Sequence, residues 1–184
     1  MSFLMNKYPL SVFASLTHTA PVRKMILSEL FRITAAGFGT QAPALMALDC
    51  EARQQAYALF TRDHAVRVLH SGQEIQTVRS RLYRNAFVLG GRMSRWCGVN
   101  GLDEVVRLAQ LIYRAIGVEV QGDSQGNLTV LRCYYSRFYS APVCDLISCL
   151  DDGLLTGLNG GGRLVFLSRI TEGSRCCRAK LARS

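Results

Sequence analysis

The run LTVLRCYYSRFYSAPVCDLISCLDDGLL, residues 128–155, changes from the periodicity of a strand to that of a helix. Its first eight residues follow the two-residue alternation of a β-strand, which predicts a strand over Leu128–Tyr135. Pro142 then begins a segment in which apolar residues recur every three or four positions, as they do in a helix. A strand is therefore followed closely by a helix.

Strands are predicted on both sides of this run. Val118 and Val120 indicate a short strand before it, and the turn at residues 123–127 makes the pair a hairpin. Downstream, RLVFLSRIT (163–171) and RCCRAKLA (175–182) predict a second pair of strands. The order β-β-α-β-β predicts an antiparallel sheet with a helix packed on one face.

The first half of the chain has a helical period over about 21–117. One of its helices is predicted to start at Gln73, with a kink or an end at Gly90–Gly91. No internal repeat or flexible linker interrupts the chain. We therefore predict a single α+β domain over residues 1–184, in which a helical part at about 21–117 precedes a cysteine-rich α+β part at about 118–184.

Length and composition restrict the class of protein. A chain of 184 residues is large enough to bury a core as one domain. No apolar run approaches the roughly 20 residues that span a bilayer, and the first 16 residues lack the layout of a secretory signal. We therefore expect a cytoplasmic protein without a membrane partner, in which the seven cysteines stay mostly reduced.

The net charge of +9 comes mainly from arginine. A run without any acid between Glu74 and Asp103 contains Arg79, Arg81, Arg84, Arg92 and Arg95. This run is either an anion- or nucleic-acid-binding stripe or a solvated helix face, and we favour the solvated face because no nucleic-acid fold signature accompanies it. The expected partner is a small anionic substrate rather than nucleic acid. Association into a homo-oligomer stays open.

Five of the seven cysteines lie within residues 133–177, beside acids and tyrosines, which indicates a site in this region. On the helix after Pro142, Asp145, Cys149 and Asp152 share one face. The apolar residues expected to pack on the core from the opposite side are Val143, Ile147, Leu150 and Leu154. Negative neighbours raise the pKa of a thiol, so activating Cys149 requires a base or a cation.

Strand alternation places further cysteines. Leu131, Cys133 and Tyr135 are predicted to share one face of their strand, and Cys177 is predicted to face inward with Ala179. We therefore expect the thiols of Cys133, Cys149 and Cys177 to converge between the helix and the sheet. Such thiols are small buried hydrophobic groups, nucleophiles or metal ligands. The spacings of the cysteines do not match a structural zinc site.

The segments CYYSRFYSAPVCDLISCLDDGLLTGL (133–158) and RITEGSRCCRAKL (169–181) resemble the small bacterial family named for L-2-amino-thiazoline-4-carboxylic acid hydrolase. The matching positions are Cys133–Tyr134, Cys149 with Asp151 and Asp152, and Gly173 with Cys177. The layout is also similar to that of 4-vinyl-reductase-type ligand-binding domains, which have a related β-β-α-β-β arrangement. The second likeness bears on fold rather than on activity.

The first resemblance implies a hydrolase that opens a cyclic amidine ring at a C–N bond. It would convert L-2-amino-thiazoline-4-carboxylate to a carbamoyl-cysteine on the way to L-cysteine. Chemistry and position then suggest that Asp151 or Asp152 shares the ring proton and that an arginine such as Arg169 holds the substrate carboxylate. Either water or a thiolate adds at the amidine carbon, and in the second alternative Cys149 forms a covalent adduct. The expected catalytic residues are Cys149, Asp151, Asp152, Cys133 and Cys177, and the expected substrate-binding residues are Tyr134, Arg169 and Asp145.

A rival hypothesis comes from a different class of function. In it, the chain is a non-catalytic module whose C-terminal cysteines hold a metal or a small ligand. For the hydrolase we expect no cofactor and no metal ligands among the named residues, although a divalent metal stays open.

Overall fold

The computed structural model describes residues 10–72 and 75–182, so the predicted helix start at Gln73 lies outside the described residues. The described helices are α1 (Leu10–Leu16), α2 (Ala20–Gly37), α3 (Cys50–Ser71), α4 (Ile75–Cys97), α5 (Leu102–Ala115) and α6 (Ala141–Leu158). The strands are β1 (Val118–Gly122), β2 (Asn127–Cys133), β3 (Arg163–Ser168) and β4 (Cys177–Ala182). This order confirms the predicted α+β class.

The four strands form one antiparallel sheet in the order β1-β2-β4-β3. The two hairpins therefore meet through β2 and β4, and α6 connects one hairpin to the other. The helix residues Val143, Ile147, Leu150 and Leu154 are all buried, and so are the inward-facing Cys177, Ala179 and Leu181 of β4. The predictions for the core face of α6 and for the inner face of β4 are confirmed.

The predicted alternation in β2 is wrong because the strand contains a bulge. Val118 lies opposite Cys133, whereas Val120 lies opposite Val130, so Leu131 has no partner residue in β1. The extra residue shifts the alternation, so that Leu131 is 38% exposed while Val130 and Cys133 both face the interior. The strand also ends at Cys133, and a 3-10 turn over Tyr134–Arg137 follows it.

Local sequence signals explain several helix ends. Pro21 and Pro142 lie in the first turns of α2 and α6, where the missing N–H of proline leaves no hydrogen bond unmade. The side chain of Asp49 accepts a hydrogen bond of 2.8 Å from the backbone N–H of Ala52 at the start of α3. Gly72 follows the same helix with a left-handed φ of 63°, which is a common helix ending.

Helices α4 and α6 pack backbone to backbone. A Cβ atom on Gly90 would collide with the carbonyl oxygen of Leu154, and Cβ atoms on Gly153 and Gly157 would collide with backbone atoms of α4. A helix end at Gly90–Gly91, one of the two predicted alternatives, is wrong, since α4 continues to Cys97. The glycine at position 90 instead allows close contact between the two helices. The contact fixes α6 between α4 and the sheet.

No helix within residues 10–72 and 75–182 combines the length and the apolar character that crossing a bilayer requires.

Candidate functional site

A cavity of about 130 Å³ lies between the inner face of the sheet and helices α5 and α6, and side chains of α2, α3 and α4 complete its wall. Most of the wall is aliphatic or aromatic. The chemically distinctive wall residues are Cys133, Cys144, Cys177, Asp151, Arg169, Thr171 and the tyrosines at 57, 113, 135 and 139. The sheet, the central helix and the helical half of the chain all contribute to this cavity.

Asp151 is the acidic residue of the cavity wall. The hydroxyl of Tyr113 donates a hydrogen bond of 2.8 Å to its carboxyl, which forms no ion pair within the described residues. Burial raises the pKa of Asp151 to about 6, although the Tyr113 hydrogen bond and the positive charge of Arg169 act in the opposite direction. The carboxyl therefore changes its protonation state close to neutral pH.

The three thiols of the cavity are poor nucleophiles at neutral pH. Burial raises the pKa of Cys133 to about 12 and also raises the pKa values of Cys144 and Cys177. The Cys177 sulfur accepts a hydrogen bond of 3.3 Å from the backbone N–H of Ile170. These groups consequently act as small, weakly polar parts of the wall.

Arg169 is only 9% exposed and is held in one orientation. Its Nη2 donates hydrogen bonds of 3.1 Å both to the carboxyl of Asp145 and to the hydroxyl of Ser148. The guanidinium carbon lies 4.3 Å from the centre of the Phe166 ring. Nε lies 3.8 Å from a carboxyl oxygen of Glu172, so Nη1 is the guanidinium nitrogen left without a partner among the described residues.

Three buried polar atoms of the wall have no hydrogen-bond partner in the described part of the chain. They are Nη1 of Arg169, the hydroxyl of Tyr135 and Oγ1 of Thr171, although the Cys144 thiol lies beside the threonine hydroxyl. Buried polar groups are nearly always paired, because an unpaired one loses its hydration without compensation. All three atoms belong to residues that line the one cavity, so the polar groups of its wall are not fully paired within the described chain.

Cys149 lies outside this cavity. It lines a surface groove with α4, where Nη1 of Arg79 is 3.6 Å from its sulfur and the same guanidinium pairs with Asp145. Burial outweighs this positive charge and raises the pKa of Cys149. The predicted convergence of Cys133, Cys149 and Cys177 is therefore wrong for Cys149. Cys144 takes its place, seven positions before Asp151 on the cavity face of α6.

Two further residues of the predicted site have structural contacts instead. The Asp152 carboxyl accepts a hydrogen bond of 2.8 Å from the backbone N–H of Leu164 and so fixes the start of β3. Burial raises the pKa of Asp152. Tyr134 is stacked under the guanidinium of Arg137, 4.0 Å from the ring centre, and does not line the cavity. Of the predicted residues, Cys133, Asp151, Arg169 and Cys177 reach the cavity wall.

Tyr113, Tyr135, Cys144 and Thr171 also line the cavity but are not among the site residues predicted from the sequence. Spacing on α6 pairs Cys144 with Asp151, so that signal was available. No local pattern connects Tyr113 on α5 with α6, because their contact depends on how distant segments pack.

The described residues contain no group of three His, Cys, Asp or Glu side chains arranged to hold a metal ion. In the comparisons with known proteins, no protein-family model matches the chain, and no curated protein matches it.

Proposed function

We propose that this chain binds a small one-ring molecule in the cavity between the sheet and α6. The observation that carries the proposal is the cavity itself, about 130 Å³ in volume, with an apolar wall and unpaired polar atoms. An engineered cavity of roughly 150 Å³ in another protein binds benzene, so one ring is the appropriate size class. Few precise polar groups in an apolar pocket are typical of small-ligand sites.

The polar groups define which ligand would fit. Asp151 accepts hydrogen bonds and is ionised above a pKa of about 6, whereas Arg169, Tyr135 and Thr171 offer donors. A ring with a cationic donor, such as an amidine, and an acceptor, such as a carboxylate, would pair both kinds of group. Such pairing is necessary because unpaired charges are costly to bury. The thiazoline carboxylate implied by the family resemblance, which has an amidine and a carboxylate on one ring, belongs to this class.

The binding proposal is tested by calorimetric titration with L-2-amino-thiazoline-4-carboxylate and with benzamidine, which has a ring and an amidine but no acceptor. Ala179 lines the cavity, and Ala179→Leu adds three carbons there. We expect this change to weaken binding of both compounds at least tenfold. Cys149→Ser is the matched control outside the cavity and should bind like the wild type. Equal affinity in Ala179→Leu would place the ligand elsewhere.

A second candidate function is hydrolysis of the cyclic amidine, and the pKa of Asp151 near 6 favours it. A carboxyl with such a pKa suits proton transfer near neutral pH. Asp151 would share the ring-nitrogen proton, Arg169 would hold the carboxylate, and water would add at the amidine carbon before the ring C–N bond breaks. The seven free thiols suit the reducing cytoplasm expected from the sequence.

Turnover is tested by following loss of the thiazoline ring and appearance of carbamoyl-cysteine by NMR. We expect Asp151→Asn to lower kcat at least about 100-fold and Cys149→Ser to leave it unchanged. Full turnover in Asp151→Asn would refute the hydrolase mechanism. Tight binding without turnover in the wild type would refute hydrolysis while supporting the binding function.

A further inference from the structure

One side of α4 carries arginines without ion-pair partners. Arg79 pairs with Asp145, and Arg92 pairs with Glu29 at 3.0 Å. Arg81, Arg84 and Arg95 are exposed and form no salt bridge in residues 10–72 and 75–182. Helical spacing places these three on one side of α4. We refer to Arg81, Arg84 and Arg95 as the α4 ridge.

Two adjoining surface concavities of about 410 and 340 Å³ run beside the first part of the α4 ridge. They share the wall residues Ser80 and Arg84, so they lie side by side along α4, and we refer to the two together as the groove. The aromatic rings of Tyr83 and Phe87 line its larger part, with centroids 6.0 Å apart and an angle of 24° between the ring planes. The groove therefore combines arginines with aromatic side chains.

The charges favour an anionic partner. Of the 22 basic residues of the chain, 19 are arginine and three are lysine, and no acid occurs within residues 75–102. Arginine contacts phosphate through two parallel hydrogen bonds, which a lysine cannot do. A second copy of the chain docked symmetrically on this surface would oppose arginine with arginine. Aromatic rings beside arginines favour stacked bases over an acidic peptide.

We propose that the groove along the α4 ridge binds single-stranded nucleic acid without sequence specificity. The arginines would contact phosphates, and Tyr83 and Phe87 would stack on bases. The ridge and groove extend from Gln76 to Arg95, which is about 29 Å along the helix axis. The sequence favours a solvated helix face for this arginine run, and the proposal assigns single-stranded nucleic acid to that face as its ligand. This activity is independent of the interior cavity.

The test is fluorescence anisotropy of a labelled 12-nucleotide oligouridylate and of the matching oligothymidylate, titrated with the whole chain at several KCl concentrations. The first variant replaces the α4 ridge, as Arg81→Gln, Arg84→Gln and Arg95→Gln. The matched control removes the same charge from the exposed outer face of the sheet, as Arg132→Gln, Arg163→Gln and Arg178→Gln. All six side chains are exposed, so both variants should fold, which circular dichroism checks.

We expect the ridge variant to lose at least about 30-fold in affinity and about two units of the logarithmic salt slope, since each phosphate contact contributes about 0.7. The sheet variant should lose less than about threefold. Phe87→Leu should weaken binding about tenfold without changing the salt slope. Equal losses in both triple variants, no binding by the wild type, or equally tight binding of poly-glutamate would overturn the proposal.

Discussion

The carboxyl of Asp151 receives one hydrogen bond, from Tyr113, and no ion pair within the described chain. Its pKa of about 6 is higher than the ordinary 3.8. The folded state therefore binds the proton more tightly than the unfolded state does, so ionisation of Asp151 destabilises the fold as pH rises through this range. Groups that reduce stability in this way are concentrated at functional sites.

Replacing this carboxyl should stabilise the protein at alkaline pH. The difference between 3.8 and about 6 corresponds to about 3 kcal/mol at pH 8. We expect Asp151→Asn to raise the free energy of unfolding by up to this amount at pH 8, by less near pH 5, and by almost nothing at pH 3. Urea unfolding at the three pH values measures the effect.

Asp123 provides a control of opposite sign. Its carboxyl accepts hydrogen bonds from the backbone N–H groups of Gln125 and Asn127, and the Asn127 side chain and backbone are the main cause of its lowered pKa. The ionised form stabilises the fold, so Asp123→Asn should lower the stability at pH 8, with a difference that shrinks at acidic pH. If Asp151→Asn behaved like Asp123→Asn, the description of the buried carboxyl would be wrong.

At the scale of elements, the contact between α4 and α6 positions the cavity face of α6. Gly90 lies where the two backbones meet, whereas its neighbour Gly91 has room, since a Cβ atom there would lie 3.6 Å from the nearest atom, in Arg95. The two adjacent glycines therefore have different structural requirements. In sequence, a Gly–Gly pair is a helix-breaking signal whether or not the packing requires glycine at each position. For this reason the pair predicts a kink or an end in α4.

The two glycines should respond in opposite directions to alanine. Gly90→Ala forces the helices apart, and we expect it to lower the free energy of unfolding by about 3 kcal/mol. Gly91→Ala adds helix propensity without a collision and should raise it by up to about 1 kcal/mol. Thermal and urea unfolding of the two variants compare them directly. Similar effects from both changes would contradict the close packing of α4 on α6.

The bulge in β2 shows why two-residue alternation alone does not predict which side chains of a strand face the interior. The element and its approximate bounds follow from sequence, but the side on which Cys133 lies depends on the register with β1. Because Leu131 is skipped in that register, Cys133 and Val130 face the same cavity. Register depends on the partner strand, so the sequence of β2 alone does not determine it.

At the scale of the whole molecule, periodicity predicts the α+β class, the β-β-α-β-β order and the core face of α6. Strand alternation predicts Cys133 and Cys177 as site residues, and the family resemblance, with chemistry and position, implies Asp151 and Arg169; the structure brings these four to one cavity. The fold separates Cys149 from them because that residue lies on the side of α6 that faces α4. Tyr113 and Thr171 reach the cavity only through contacts between distant parts of the chain, which local spacing does not encode.

The pH dependence of ligand affinity shows whether Asp151 anchors a ligand in the cavity. Calorimetric titration of L-2-amino-thiazoline-4-carboxylate between pH 4.5 and 7.5 should show affinity rising about tenfold per unit up to pH 6 and then levelling, because the ionised Asp151 pairs with the amidine. Asp151→Asn should bind weakly, with a flat profile. A flat profile in the wild type, or the same profile in both proteins, would contradict the claim that Asp151 anchors a ligand in the cavity.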